Sequence, residues 1–265
     1  MRKFVVFWFL VSAVLVATDA RSDTYPRQSG IDVTHYAFKV TLNDVDSRIV
    51  GETTIDFTAK SAGVARLVLD LASISEDGKG MKATKVRSGD KEATFRHESD
   101  RLEVTLDPAL KAGETRSVTI SYEGTPRSGF LIGKNRHGDR TFFSENWPNK
   151  ARQWLAVVDH PYDKATTEFI VTAPSAYQVV SNGLLTREID LGDGNRLTHW
   201  RQSVPIPVWL TALGVAPFAS HHAGSVRGIP MQTWVFRQNH ERLFEALEDP
   251  ARKAVELFID KVGPY

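Results

Sequence analysis

Trp147-Pro-Asn-Lys-Ala-Arg-Gln-Trp-Leu-Ala-Val-Val-Asp-His-Pro-Tyr-Asp-Lys-Ala165 is the stretch on which the fold of this chain turns. It sets two tryptophans, two prolines and alternating charges within nineteen residues, then runs into residues 166–172, where polar and apolar side chains alternate. Alternation with a period of two marks a half-buried strand. The preceding segment is therefore a loop of specific shape that feeds the chain into a sheet. Inside it, Asp159-His-Pro-Tyr-Asp163 brings two carboxylates and an imidazole together. Such a cluster suits a small metal or proton-transfer site. It also suits a structural turn in which Asp159 accepts a backbone N–H, Pro161 fixes the chain direction and Lys164 neutralises a carboxylate. The structural role is favoured.

The same alternation recurs on both sides of the loop, over residues 36–42, 49–57, 67–71, 102–106 and 118–122. Turn signals separate these runs: Asp77-Gly78, Ser88-Gly-Asp90, Asp107-Pro108, Asn182-Gly183 and Asp193-Gly-Asn195. Asp193-Gly194 lies between two short apolar–polar runs and predicts a hairpin. Residues 124–140, with four glycines, read as the longest loop. Short strands spaced in this way predict an antiparallel β-sandwich rather than alternating helices and strands.

Beyond residue 219 the pattern changes. Residues 221–228 read as a linker and 229–236 as one more strand. Asp249 suits an N-cap and Pro250 the first helical position. Ala251, Ala254, Val255, Phe258, Ile259 and Val262 then form one apolar helical stripe, which Gly263-Pro264 ends.

The loop and its surroundings resemble the N-terminal domain of the aminopeptidase N family of zinc metallopeptidases. There an Ala-Arg-x-x-x-Pro-x-x-Asp-x-Pro-x-x-Lys-Ala segment precedes a core strand. Ala151, Arg152, Asp159, Pro161, Lys164 and Ala165 match that pattern, and Ala156 replaces its first proline. The resemblance covers roughly residues 30–265 and is most specific over 142–183. It implies a mostly β fold: a sandwich or saddle-like N-terminal domain over 21–219, then at 220–265 the strand-plus-helix opening of an α/β thermolysin-like catalytic domain. A single amphipathic helix after a strand-based domain either folds back on the sandwich or opens that second domain.

Residues 1–20 read as an export signal: Arg2 and Lys3, an apolar run from Phe4 to Val16 broken only by Ser12, and Thr18-Asp-Ala20 as cleavage site. The run falls short of the ~20 residues needed to span a bilayer, although an uncleaved anchor is the alternative. The expected location is periplasmic or extracellular. With no cysteine anywhere, disulfides and thiolate metal sites are excluded. Stability must then come from a core that 42% hydrophobic residues can supply. Lysine plus arginine number 33 against 32 aspartates plus glutamates, interspersed, which gives nucleic acid no electrostatic footprint. Nothing favours membrane-surface binding once the signal is removed.

Histidine spacing decides the metal question. A zincin needs two histidines four residues apart on one helical face. His240-Glu241 begins such a motif, but Phe244 holds the second position and cannot bind zinc. This segment reads instead as a first helical turn with Phe244 and Leu247 facing inward. His221 and His222 are adjacent, so on a strand they point to opposite faces. No serine lies in a G-x-S-x-G context, and no Gly-rich phosphate loop follows a strand.

Glu145 falls where the resemblance implies a glutamine that lines the pocket for the substrate's free amino end. A carboxylate suits a positively charged α-ammonium at least as well. Asn146 is the alternative counterpart, and a solvated surface glutamate the plain one. Phe142 and Phe143 beside it suit the walls of an apolar pocket. In the family, a metal held by H-E-x-x-H and a distant glutamate activates water. None of those groups is in this chain. The expectation is one wall of an aminopeptidase cleft, with peptide as substrate and zinc in the full-length protein but no cofactor here. Alone, the chain is expected to bind no stoichiometric zinc and to cleave no aminoacyl reporter. The competing expectation is a free-standing exported β-sandwich that binds peptide or glycan through Trp147, Trp154, Trp200 and Trp209.

Overall fold

Alternating residues become alternating sheet faces in the computed structural model, which describes residues 23–264; the export signal read over 1–20 lies outside the described residues. In the strand Ile49–Ala59, Ile49, Gly51, Thr53, Ile55, Phe57 and Ala59 are buried while the residues between them face outward. Eight strands form the largest sheet, in the order Leu184–Asp190, Asn195–Ile206, Ala165–Pro174, Ile31–Thr41, Ile49–Ala59, Thr115–Thr125, Gly80–Ser88 and Lys91–Glu92. All its pairings are antiparallel except that between Ile31–Thr41 and Ala165–Pro174, where Phe38 lies opposite Phe169.

Three smaller sheets complete the strands. Val64–Asp70, Arg101–Leu110 and Phe95–Glu98 form one, and Gln178–Ser181, Leu213–Ala216, Arg140–Ser144 and Phe130–Lys134 form another. The third is the hairpin of Phe218–Val226 with Ile229–Phe236, against which the α-helix His240–Val262 packs. The fold is mostly β, as the alternation required.

The core lies where the inner sheet faces meet. Tyr36, Phe38, Ile55, Phe57, Leu67, Leu69, Val104, Val118 and Ile120 are all withdrawn from water. Each such large side chain contributes about 1.5–3 kcal/mol. Gly51 is required by this packing, because a Cβ there would stand 2.4 Å from the Tyr122 ring. Gly183 is required for another reason. Its φ of 82° ends the strand Gln178–Ser181, and a Cβ would meet the Arg201 carbonyl oxygen at 2.0 Å. The Asn182-Gly183 turn and the hairpin at Asp193-Gly194 stand where the sequence puts them.

Four expectations need correction. Residues 124–140 are not one long loop, since they hold the strand Phe130–Lys134. The turn that follows it is made by Asn135, whose side-chain oxygen accepts the amides of His137 at 2.8 Å and Asp139 at 3.0 Å. Residues 221–228 are not a linker. They belong to the strand Phe218–Val226 and a two-residue turn, Arg227-Gly228, with φ of 46° and 85°. Positive φ at both positions is the primed turn of tight hairpins, and an arginine in its first position hides it.

The helix starts at His240, so Pro250 is internal to it and Asp249 does not cap. Asp249 pairs instead with Lys253 at 2.6 Å along the helix surface. Leu247 is also misplaced by the sequence pattern, being 47% exposed.

Candidate functional site

The loop that decides the fold sits where three sheets converge. Asp70 and Val157 exchange main-chain hydrogen bonds of 2.7 and 3.1 Å, which tie the loop to the three-stranded sheet. Trp154 is fully buried, with its ring stacked 4.3 Å from Phe130 of the four-stranded sheet and 5.9 Å from Phe169 of the eight-stranded one. Its indole N–H donates to Asn146 Oδ1 at 2.9 Å.

A buried charge network holds the loop's shape. Asp159 Oδ2 accepts the Arg152 amide at 3.1 Å and Arg152 Nε at 2.9 Å, while the Asp159 amide donates to Asp70 Oδ2 at 3.0 Å. Asp70, wholly buried, also meets Arg101, lies 3.6 Å from Arg152, and accepts the Tyr25 hydroxyl at 2.5 Å. Burial pushes the Asp159 carboxyl up, and Arg152 acts against it. Burial also pushes the Tyr25 hydroxyl up, aided by the neighbouring Asp70 charge.

The cluster at 159–163 is thus the structural turn rather than a reactive site. Its neutralising cation is Arg152, since Lys164 is exposed. His160 stacks on Tyr25 at 4.6 Å and lies 3.2 Å from Asp23. Asp163 accepts only the long 3.4 Å amide bond of Val33, and burial pushes its carboxyl up to about 6.

Glu145 stands just upstream on this rigid base. Its amide donates to the Gly129 carbonyl at 2.7 Å, and its carboxylate, 52% exposed, meets Lys150 Nζ at 2.7 Å. Asn146 points the opposite way. It is buried, and its amide group is spent on Thr211 at 2.8 and 2.9 Å and on Trp154. Of the two candidates for the amino-end contact, Glu145 alone presents its side chain to solvent.

Phe142 and Phe143 part company. Phe142 enters the core beside Tyr177, whereas Phe143 lines a cavity of about 350 Å³ with Val180, Leu213, Phe218 and Trp234. Of the four tryptophans that the competing reading uses, Trp154 and Trp200 are buried, and Trp147, at the start of the loop, is 62% exposed. The Trp200 indole donates to the Val179 carbonyl at 2.9 Å, joining two sheets.

Among the described residues no group of three or more metal-ligating side chains is placed to hold an ion. At the start of the helix, His240 Nδ1 lies 2.6 Å from the Arg237 carbonyl, and the Phe244 ring lies 5.2 Å from His221. These residues do not fit a zinc ion.

The Peptidase M1 N-terminal domain model matches residues 33–210. Leukotriene A-4 hydrolase of Xenopus laevis is 27% identical over 231 residues, which cover 80% of this chain and 37% of that protein. Leucine aminopeptidase 2 of Aspergillus fumigatus is 32% identical over 122 residues, or 42% of this chain and 19% of that one. A two-domain M1 zinc metallopeptidase bound to L-arginine superposes with a TM-score of 0.77 at 25% identity, covering 90% of this chain and 55% of that one. The M1 zinc metallopeptidase of Deinococcus radiodurans gives 0.66 at 26% identity, with coverages of 77% and 47%. This chain therefore spans about half of those structures and a smaller share of the curated relatives. With its loop, sheets and matched segment in agreement, the chain belongs to the M1 peptidase family, whose N-terminal domain it carries.

Proposed function

We propose that this chain is the N-terminal portion of an exported zinc metallo-aminopeptidase and forms one wall of its substrate cleft, with no catalysis of its own. The observation that carries this is the placement of Glu145: an exposed carboxylate, immediately before Asn146 of the buried Trp154–Asn146–Thr211 network, beside a loop braced by three sheets. Lys150 is its present counter-ion. An exposed pair of this kind is worth little, so a peptide's α-ammonium displaces the lysine at small cost. Solved M1 neighbours bound to L-arginine and to a Tyr-Ser-Ala substrate support a peptide with a free amino end. The family's metal has no ligands among the described residues, so no hydrolytic step is assigned to them.

The coding sequence beyond Tyr265 provides the test. It should continue into G-x-M-E-N and then H-E-x-x-H. The complete protein should hydrolyse aminoacyl amides in a zinc-dependent way, and Glu145→Ala should raise KM with a smaller effect on kcat. An unchanged KM in Glu145→Ala removes Glu145 from the cleft. Absence of both motifs removes the aminopeptidase assignment.

A further inference from the structure

Among the described residues, the strand Val64–Asp70 is the edge of its sheet, with Arg101–Leu110 as its one strand partner. Its outward-facing main-chain positions occur at every second residue. At Asp70 the amide and carbonyl are both taken by Val157. At Val68 they are taken by a side chain. The Val68 amide donates to Gln28 Oε1 at 2.9 Å, and Gln28 Nε2 donates to the Val68 carbonyl. The next outward position is Arg66. Its ladder partner Thr105 turns its own amide away, to the Thr94 carbonyl at 2.9 Å. The Arg66 amide and carbonyl accordingly face out along the edge.

They face a groove of about 450 Å³ whose walls include Pro26, Arg27, Val64, Val68, Arg101 and Glu103. Three arginines, Arg27, Arg66 and Arg101, stand there against the single carboxylate Glu103. Arg101 is held by Asp70, and Arg27 by Asp23 at 2.6 Å. Arg66 is nearly free. It lies 3.8 Å from Glu103, which Arg96 approaches more closely at 3.3 Å, and its side chain is 70% exposed.

We propose that this groove receives an extended acidic peptide segment, which adds to the sheet edge at Arg66 through main-chain hydrogen bonds and sets a carboxylate against Arg66 and Arg27. Strand addition draws its affinity from main-chain pairing and its selectivity from side-chain contacts. The Gln28 amide already occupies the neighbouring position as a neighbouring peptide group would, so the edge accepts such a group from outside the sheet. It also closes Val68, which limits the site to a short segment. A positive charge on an open edge discourages pairing with like-charged strands; here it selects an acidic one.

Fluorescence anisotropy of a labelled Glu-Val-Glu-Val-Glu peptide, titrated with the 265-residue chain at low salt, tests this. Saturable binding is expected, at least tenfold weaker for the Lys-Val-Lys-Val-Lys counterpart and for a peptide N-methylated along its backbone. Arg66→Glu should lose binding at least tenfold with an unchanged thermal melt, and Arg66→Gln, which carries no reversed charge to disturb the fold, should lose binding by a smaller factor. Absence of saturable binding, or equal binding to both Arg66 variants and the parent, overturns the proposal. Undiminished binding of the N-methylated peptide reduces the groove to a simple anion contact and overturns strand addition. Glu145 is not among the residues that line this groove, so either result here leaves the proposed role of Glu145 to its own test.

Discussion

Replacing Asp163 by asparagine should stabilise the protein at neutral pH, against the usual expectation for a substitution within a family-matched loop. The Asp163 side chain is only 8% exposed, and its one hydrogen bond, from the Val33 amide, is 3.4 Å long. Burial is the main reason its carboxyl is pushed up to about 6. Asp32 adds to the effect, while the Val33 amide and Lys60 work against it. The ordinary value is 3.8. At about 1.4 kcal/mol per pH unit, the gap corresponds to about 3 kcal/mol as a ceiling. The sign follows from which form the native state prefers. The native chain holds this proton more tightly than the unfolded chain does. The cost is absent below the unfolded value, grows as pH rises from about 4 to 6, and is fully present above 6. Asparagine keeps the oxygen acceptor for Val33 and removes the charge. Urea unfolding of both proteins between pH 4 and 8 should show Asp163→Asn more stable by about 1–3 kcal/mol at pH 7.5, with the difference closing toward pH 4. Taking the difference between the two proteins cancels titrations they share, such as that of Asp159. A variant no more stable than the parent at pH 7.5, or a difference that does not change with pH, refutes the reasoning.

Three further outcomes follow from the same geometry. Asp70→Asn leaves Arg101 without its buried counter-charge and Arg152 with Asp159 alone and should cost about 3–5 kcal/mol in urea unfolding. Trp154→Phe keeps much of the stacking on Phe130 but orphans the Asn146 Oδ1 acceptor, so a loss of at least about 1–3 kcal/mol is expected by the same method. Leu257 and Phe258 are 55% and 62% exposed on the helix; sedimentation velocity should show concentration-dependent self-association of the chain that Phe258→Glu suppresses.

The sheets were legible because burial on one face imposes a period of two, and residues such as those of Ile49–Ala59 obey it without interruption. What the sequence concealed has specific causes. The turn at Arg227-Gly228 lacks the usual asparagine or aspartate in its first position, so it passes for linker. The helix begins ten residues before Pro250 because a proline on an exposed face costs the helix its own hydrogen bond yet does not end it here. The apolar stripe is real but mostly unburied. Phe244, Glu248, Arg252, Val255 and Ile259 make the half-buried face against the hairpin, with His221 bonded to Glu248 at 2.6 Å and Arg252 donating to the Ser225 and Ala223 carbonyls. Periodicity identifies an apolar face but not which face a neighbour covers. At the site, Glu145 and Asn146 were equivalent in sequence. What separates them is that Asn146 is bound inward by Thr211, sixty-five positions away, and by Trp154.

Ala156, the one departure from the family pattern in the matched segment, is fully buried in the core. The resemblance places a proline there, and a proline has no amide hydrogen. Burial pushes the Tyr122 hydroxyl up, while the Thr53 hydroxyl and the Ala156 backbone act against it. The hydrogen bond that meets the buried Tyr122 hydroxyl is with the Thr53 hydroxyl, at 3.1 Å. Tyr122 in turn crosses its own sheet over Gly51, the one neighbour without a Cβ to obstruct it. Gly51 and Tyr122 therefore act as a pair across two neighbouring strands, and the large buried phenol is accommodated because its neighbour has no Cβ. The residues of the loop that match the family pattern do the same kind of work. Arg152 and Asp159 fix its shape from within, while Glu145, just upstream of the matched segment, faces solvent.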